Sequence, residues 1–212
     1  MSTRLTGLVI EARDPAGLAG FWAALLGWEP VGANTVRAPA SDGGLDLVFV
    51  PETGPKHGLN RLHLDLASTS ADGLRAKVSR AVELGAVPKD IGQGAVPWEV
   101  LADPEGNEFC VLEPRAGYTT TETLAAIVVN SLDPLAQAAF WEEATGWRIA
   151  NREPVIVGLR APTGRGPWLE FLRTEEAKAG PNRLRLLLTA TSGGIPRPDA
   201  DPEGNEFVVL TG

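Results

Sequence analysis

The chain has 212 residues, of which 43% are hydrophobic and 22% charged, and a formal net charge of −8. That length suits one large domain or two small ones, and scattered acidic charge without a basic stripe argues against a nucleic-acid partner. No run approaches the roughly 20 apolar residues that span a bilayer, the N-terminus lacks a signal-peptide core, and a single cysteine fits a reducing compartment; a cytoplasmic protein off the membrane is expected.

Residues 4–13 carry Leu5, Leu8, Ile10 and Ala12, as a strand backed by a helix would. Asp14 followed by Pro15 starts a helix, because the carboxylate caps it and proline suits its first turn. Leu18, Phe21, Trp22, Leu25 and Leu26 follow at helical spacing, and Gly27 stops it. Short strands are expected near 28–32, 34–38 and 45–50, then at 60–67 after a polar connection. Ser70 opens a second helix with Leu74, Val78 and Ala81 on one face, stopped by Gly85. Strands at 86–89, 96–102 and 107–113 surround an Asp103–Asn107 turn, with Pro104 and Gly106 as turn residues.

The order then repeats. A strand at 123–132, a helix at 134–145, strands near 147–151, 155–159 and 168–173 and a strand at 182–190 follow a connection at 114–121 rich in Gly and Thr. Asp103-Pro104-Glu105-Gly106-Asn107-Glu108-Phe109 recurs as Asp201-Pro202-Glu203-Gly204-Asn205-Glu206-Phe207, and Asn60-Arg61-Leu62-His63 as Asn182-Arg183-Leu184-Arg185. The duplication divides the chain into residues 1–115 and 116–212. Between 190 and the second turn about ten residues replace more than thirty, too few for a helix and two strands. Leu184, Leu186 and Leu188 therefore lack the helical cover that Leu62, Leu64 and Leu66 would have, and need burial by the other half, a loop or a second chain. The expectation is a monomer or a homodimer, the latter formed through the strand at 184–188.

Paired strand-helix-three-strand units closed by Asp-Pro-Glu-Gly-Asn turns, with Asn60–Asp65 in the fifth strand, resemble the vicinal oxygen chelate superfamily: glyoxalase I, bleomycin-resistance proteins and extradiol dioxygenases. The resemblance implies an α+β fold of tandem βαβββ units in curled mixed sheets, the second copy truncated. It implies a cup that holds a divalent metal on the first, fourth, fifth and eighth strands. Carried over position by position, those sites are Gly7 and Ala126, Val48 and Glu170, His63 and Arg185, and Cys110 and Val208. His63, Cys110 and Glu170 alone keep donors, so no metal ligand set and no cofactor is assigned; a divalent ion is the alternative if those three converge. They converge if the halves exchange units; if each half closes its own cup, His63 and Cys110 share one cavity and Glu170 faces Arg185 in the other.

The function expected is therefore binding or sequestration of a small apolar or aromatic molecule in a cup. The alternative is a lyase or isomerase using His63 as acid–base, metal-assisted if His63, Cys110 and Glu170 meet. Arg61, His63 and Asp65 form a polar triplet on one strand face. Cys110 is read first as a small core residue. Glu170, between Leu169 and Phe171, is expected to pair with Arg185 or Arg183 or to touch ligand. Trp98 and Trp168 are the aromatic wall candidates. The ligand-binding set is thus Arg61, His63, Asp65, Trp98, Cys110, Trp168, Glu170 and Arg185.

Overall fold

The computed structural model describes residues 3–190 and 199–211. In chain order they form β1 (Thr3–Ala12), α1 (Pro15–Leu26), β2 (Glu29–Pro30), β3 (Thr35–Arg37), β4 (Asp46–Pro51), β5 (Leu62–Leu66), α2 (Ala71–Glu83), β6 (Val87–Pro88), β7 (Glu99–Ala102) and β8 (Glu108–Val111). The second half supplies β9 (Leu124–Ser131), α3 (Pro134–Thr145), β10 (Arg148–Arg152), β11 (Ile156–Arg160), β12 (Trp168–Arg173), β13 (Leu184–Ala190) and β14 (Phe207–Leu210). The shortened stretch that replaces a helix and two strands falls largely on residues 191–198, outside the described residues.

Two curled mixed sheets result, and each draws on both halves. One runs β10-β11-β12-β9-β5-β8-β7-β6 and the other β14-β13-β1-β4-β3-β2. The halves exchange units: β5 pairs antiparallel with β9, as β1 does with β13. Leu62, Leu64 and Leu66 alternate with His63 and Asp65 along β5, so one face enters the core and the other stays on the concave side. The same alternation puts Leu184, Leu186 and Leu188 into the common core with Trp141 and Ile10, so this chain buries those leucines itself.

The duplicated turn explains how exchanged units stay locked. Asp14 and Asp133 each cap a helix by accepting from a backbone N–H, of Gly17 at 3.0 Å and Ala136 at 3.1 Å. Above them, Trp22 Nε1 donates to Asp103 Oδ2 at 3.2 Å and Trp141 Nε1 to Asp201 Oδ2 at 3.3 Å. Asp103 also accepts from the Glu105 and Asn107 backbone N–H groups, and Asp201 from those of Glu203 and Asn205. Glu105 and Glu203 reach the Asp14 and Asp133 N–H groups at 3.0 and 2.9 Å. Each turn therefore fastens the end of one sheet to the first helix on the other. Arg61 spans the halves as well, donating to Glu203 Oε2 at 2.5 Å, mirrored more loosely by Arg183 and Glu105 at 3.9 Å.

Candidate functional site

Register places the site. In the eight-stranded sheet Cys110, Asp65, Ala126 and Trp168 stand in one row across β8, β5, β9 and β12. His63, Val128 and Glu170 stand in the next. All face the concave side, and exchange brings His63, Asp65, Cys110 and Glu170 into one cavity of about 320 Å³. The six-stranded sheet repeats these rows as Val208, Leu187 and Gly7, then Arg185, Val9 and Val48. One cup thus keeps an imidazole, two carboxylates and a thiol where its counterpart has Arg185, Val48, Leu187 and Val208.

Of the residues expected at the site, His63, Asp65, Trp98, Cys110 and Glu170 line this cavity. Arg61 does not: its guanidinium turns to Glu203 and the Glu176 carbonyl. Arg185 lies on the other sheet, 3.0 Å from Glu11. The expected pairing of Glu170 with Arg185 or Arg183 is absent because exchange sends those arginines to the opposite sheet, where Arg183 holds Glu52. Trp168 shares the Glu170 face, but its ring lies over Gly158, where an added Cβ would come within 2.8 Å, and its Nε1 donates to the Gly117 carbonyl at 3.1 Å. It does not line the cavity, and Arg160 is stacked 5.0 Å from the ring centre.

The connection between the halves contributes what sequence reasoning missed. Its 3-10 turn, Ala116–Tyr118, aims the Tyr118 hydroxyl at Glu170, 3.2 Å from both carboxylate oxygens. Arg115 lies 5.3 Å from the Trp98 ring centre and 5.9 Å from that of Tyr118, in a two-point contact with Glu113 at 2.7 and 3.2 Å. The signal available was the chain's one tyrosine inside a Gly/Thr-rich connection.

The cup is apolar along Trp98, Val100, Leu112, Val128, Ile156 and Leu172, with exposed Leu59 and Ile91 at its rim. At the polar floor, His63 Nε2 lies 3.3 Å from Asp65 Oδ1. The spacing suits an ion pair but lacks hydrogen-bond geometry, so that buried oxygen has no hydrogen-bond donor. Burial works against charge on His63, yet Asp65, with Glu108 and Glu170 beyond, outweighs it and holds the imidazole above its ordinary value. Burial, then the Asp65 charge, pushes Glu170 up to about 7 despite the Tyr118 hydroxyl and the Arg115 charge. Burial and Asp65 also push the Cys110 thiol well up.

His63, Asp65 and Cys110 place one donor atom each within 4.8 Å of one another. This does not fit the oxygen-and-imidazole set implied by the resemblance. The first-strand position is Ala126, which offers only a methyl, Cys110 brings a thiol where the resemblance implies a carboxylate, and Glu170 is engaged by Tyr118.

The sequence profile of the Glyoxalase-like domain matches residues 7–112 and 126–197. Glyoxalase I from Zea mays superposes with a TM-score of 0.63 at 13% identity, covering 99% of this chain and 92% of that one. A protein described as a putative dioxygenase from Bacillus subtilis subsp. subtilis str. 168 gives a TM-score of 0.63 at 14% identity, covering 98% and 84%. At such identities the likeness is one of fold. A search of curated proteins found no match.

Proposed function

Because the chain belongs to the glyoxalase-like domain family, with the vicinal oxygen chelate fold, we propose that its central cup binds one small organic molecule. The molecule has an apolar or aromatic body and a polar end that meets His63, Asp65 and Glu170. One observation carries this: an apolar-walled cavity of about 320 Å³, at the lower end of ordinary ligand sites, has an imidazole and two carboxylates on its floor, where the equivalent positions of the other sheet carry Arg185, Leu187 and Val48. Calorimetry with 2-naphthylmethanol as probe should give a dissociation constant tighter than about 1 mM. No heat of binding from any naphthalene-bearing probe would remove the reading.

A second reading, acid–base catalysis of a lyase or isomerase type, is favoured by two titratable groups with raised pKa values that face one cavity. His63, biased toward its charged form by Asp65, would donate a proton, and Glu170, near 7, would accept one. Asp65 would hold the imidazole, and Tyr118 would orient the Glu170 carboxylate. His63→Ala separates the readings. A binder keeps its probe affinity within about tenfold, whereas an acid–base group costs about 10²–10⁴ in turnover.

A further inference from the structure

We infer that the cup selects organic cations: the polar end of its ligand is an amine or other positively charged head, held between the Asp65 and Glu170 carboxylates and the Trp98 and Tyr118 rings. The inference rests on the cup being a binding site and deepens it by naming the ligand's charge.

The first support is an unmet acceptor. Asp65 is 8% exposed, and its Oδ1 atom is buried with no hydrogen bond, its one neighbour of opposite charge being His63 Nε2 at 3.3 Å. Such an oxygen favours a ligand that brings a donor, and one that brings positive charge most of all. Glu170, 5% exposed, has the neutral Tyr118 hydroxyl as its partner and no lysine or arginine in ion-pair contact among the described residues.

The second is that Arg115, which lines the cup, and Lys56 beside it are already paired. Lys56 sits 2.8 Å from Glu108, and Arg115 holds Glu113 at two points. With those pairs cancelled, Asp65, Glu170 and His63 remain on the floor, while the Arg160 guanidinium over Trp168 is bonded to the Gly164 and Gly166 carbonyls and the Thr120 hydroxyl. Two carboxyl groups face one imidazole, so removing protons leaves net negative charge, and even a charged His63 offsets only one of the two when both are ionised. An anionic head would add a third negative charge to that floor.

The third is the aromatic pair. Trp98 and Tyr118 both line the cavity, and ring faces of this kind attract cations, as the Arg115 guanidinium 5.3 and 5.9 Å from their centres shows. The apolar wall supplies the place for the rest of the molecule.

The test uses the full chain in EDTA at pH 8 and three probes with one body: 2-naphthylmethylammonium, 2-naphthylmethanol and 2-naphthoate, titrated by calorimetry. The cation should bind about tenfold or more tighter than the alcohol, and the acid about tenfold or more weaker. Glu170→Gln and Asp65→Asn should each reduce the cation-to-alcohol ratio to about threefold or less, while Arg61→Ala, outside the cup, keeps it. Alcohol or acid binding as well as the cation overturns the charge assignment and leaves the cup standing. Absence of binding by all three, or binding indifferent to filling the cup by Val128→Phe, overturns both.

Discussion

Replacing Glu170 by glutamine should stabilise the protein in mildly alkaline solution and do little in acid. The carboxyl is 5% exposed and its pKa rises from 4.5 to about 7, mainly through burial. A raised folded-state value means that the folded protein holds this proton more tightly than the unfolded chain. The stabilisation is fully present below about pH 4.5 and is lost as pH rises through 7. A difference of about 2.5 units at 1.36 kcal/mol each gives up to about 3 kcal/mol lost by pH 8.5. Glutamine carries no charge to desolvate, and its amide oxygen still accepts from Tyr118. Urea unfolding of both proteins at pH 4.5 and 8.5 should therefore show the variant ahead by roughly 2–3 kcal/mol at pH 8.5, or about 4–12 °C in melting temperature, and nearly level at pH 4.5. An equal difference at both pH values, or a variant less stable at pH 8.5, would refute a carboxylate strained by burial.

Asp103→Ala should cost about 2–4 kcal/mol in urea unfolding, because the buried Trp22 Nε1 and the Asn107 N–H lose their acceptor; a cost under 0.5 would deny the turn its clamping role. Gly7→Ala should prevent folding or cost more than about 3 kcal/mol, since its Cβ would lie 2.0 Å from the Asp46 carbonyl oxygen, which strand pairing fixes in place. Removing divalent metals with EDTA should leave 2-naphthylmethanol affinity within about twofold; a larger loss would show that the floor needs an ion. Cys110, buried and with its thiol pushed up, should resist a disulfide reagent at pH 8 in the folded protein and react within minutes in denaturant.

Much of the fold was legible because its signals are local. Asp14-Pro15 and Asp133-Pro134 start α1 and α3, Gly27 and Gly146 in the left-handed region end them, and leucine alternation marks β5 and β13. Strand ends were less so: Asn60 and Arg61 belong to the run at 60–67, but their side chains leave the sheet for Asn107 and Glu203. Pairing could not be read, because the same alternation on β5 and β9 serves either closure; edges that meet only in the folded chain decide it. His63, Asp65, Trp98, Cys110 and Glu170 stood out as polar or aromatic residues on strand faces. Tyr118 and Arg115 did not, because an irregular connection has no periodicity to show which way a side chain turns. Arg61 shares its spacing with His63 and Asp65, yet Glu203, from the opposite end of the chain, draws it away.

Val128 stands between His63 and Glu170 in the register, 2% exposed and facing the cavity, so a ring placed there fills the cup without entering the core. Calorimetric titration of 2-naphthylmethanol into the original protein and Val128→Phe compares an open cup with a filled one. A dissociation constant tighter than about 1 mM that weakens at least tenfold in the variant, with melting temperature little changed, is the result expected. Equal affinity in the two proteins would place binding elsewhere and contradict the account.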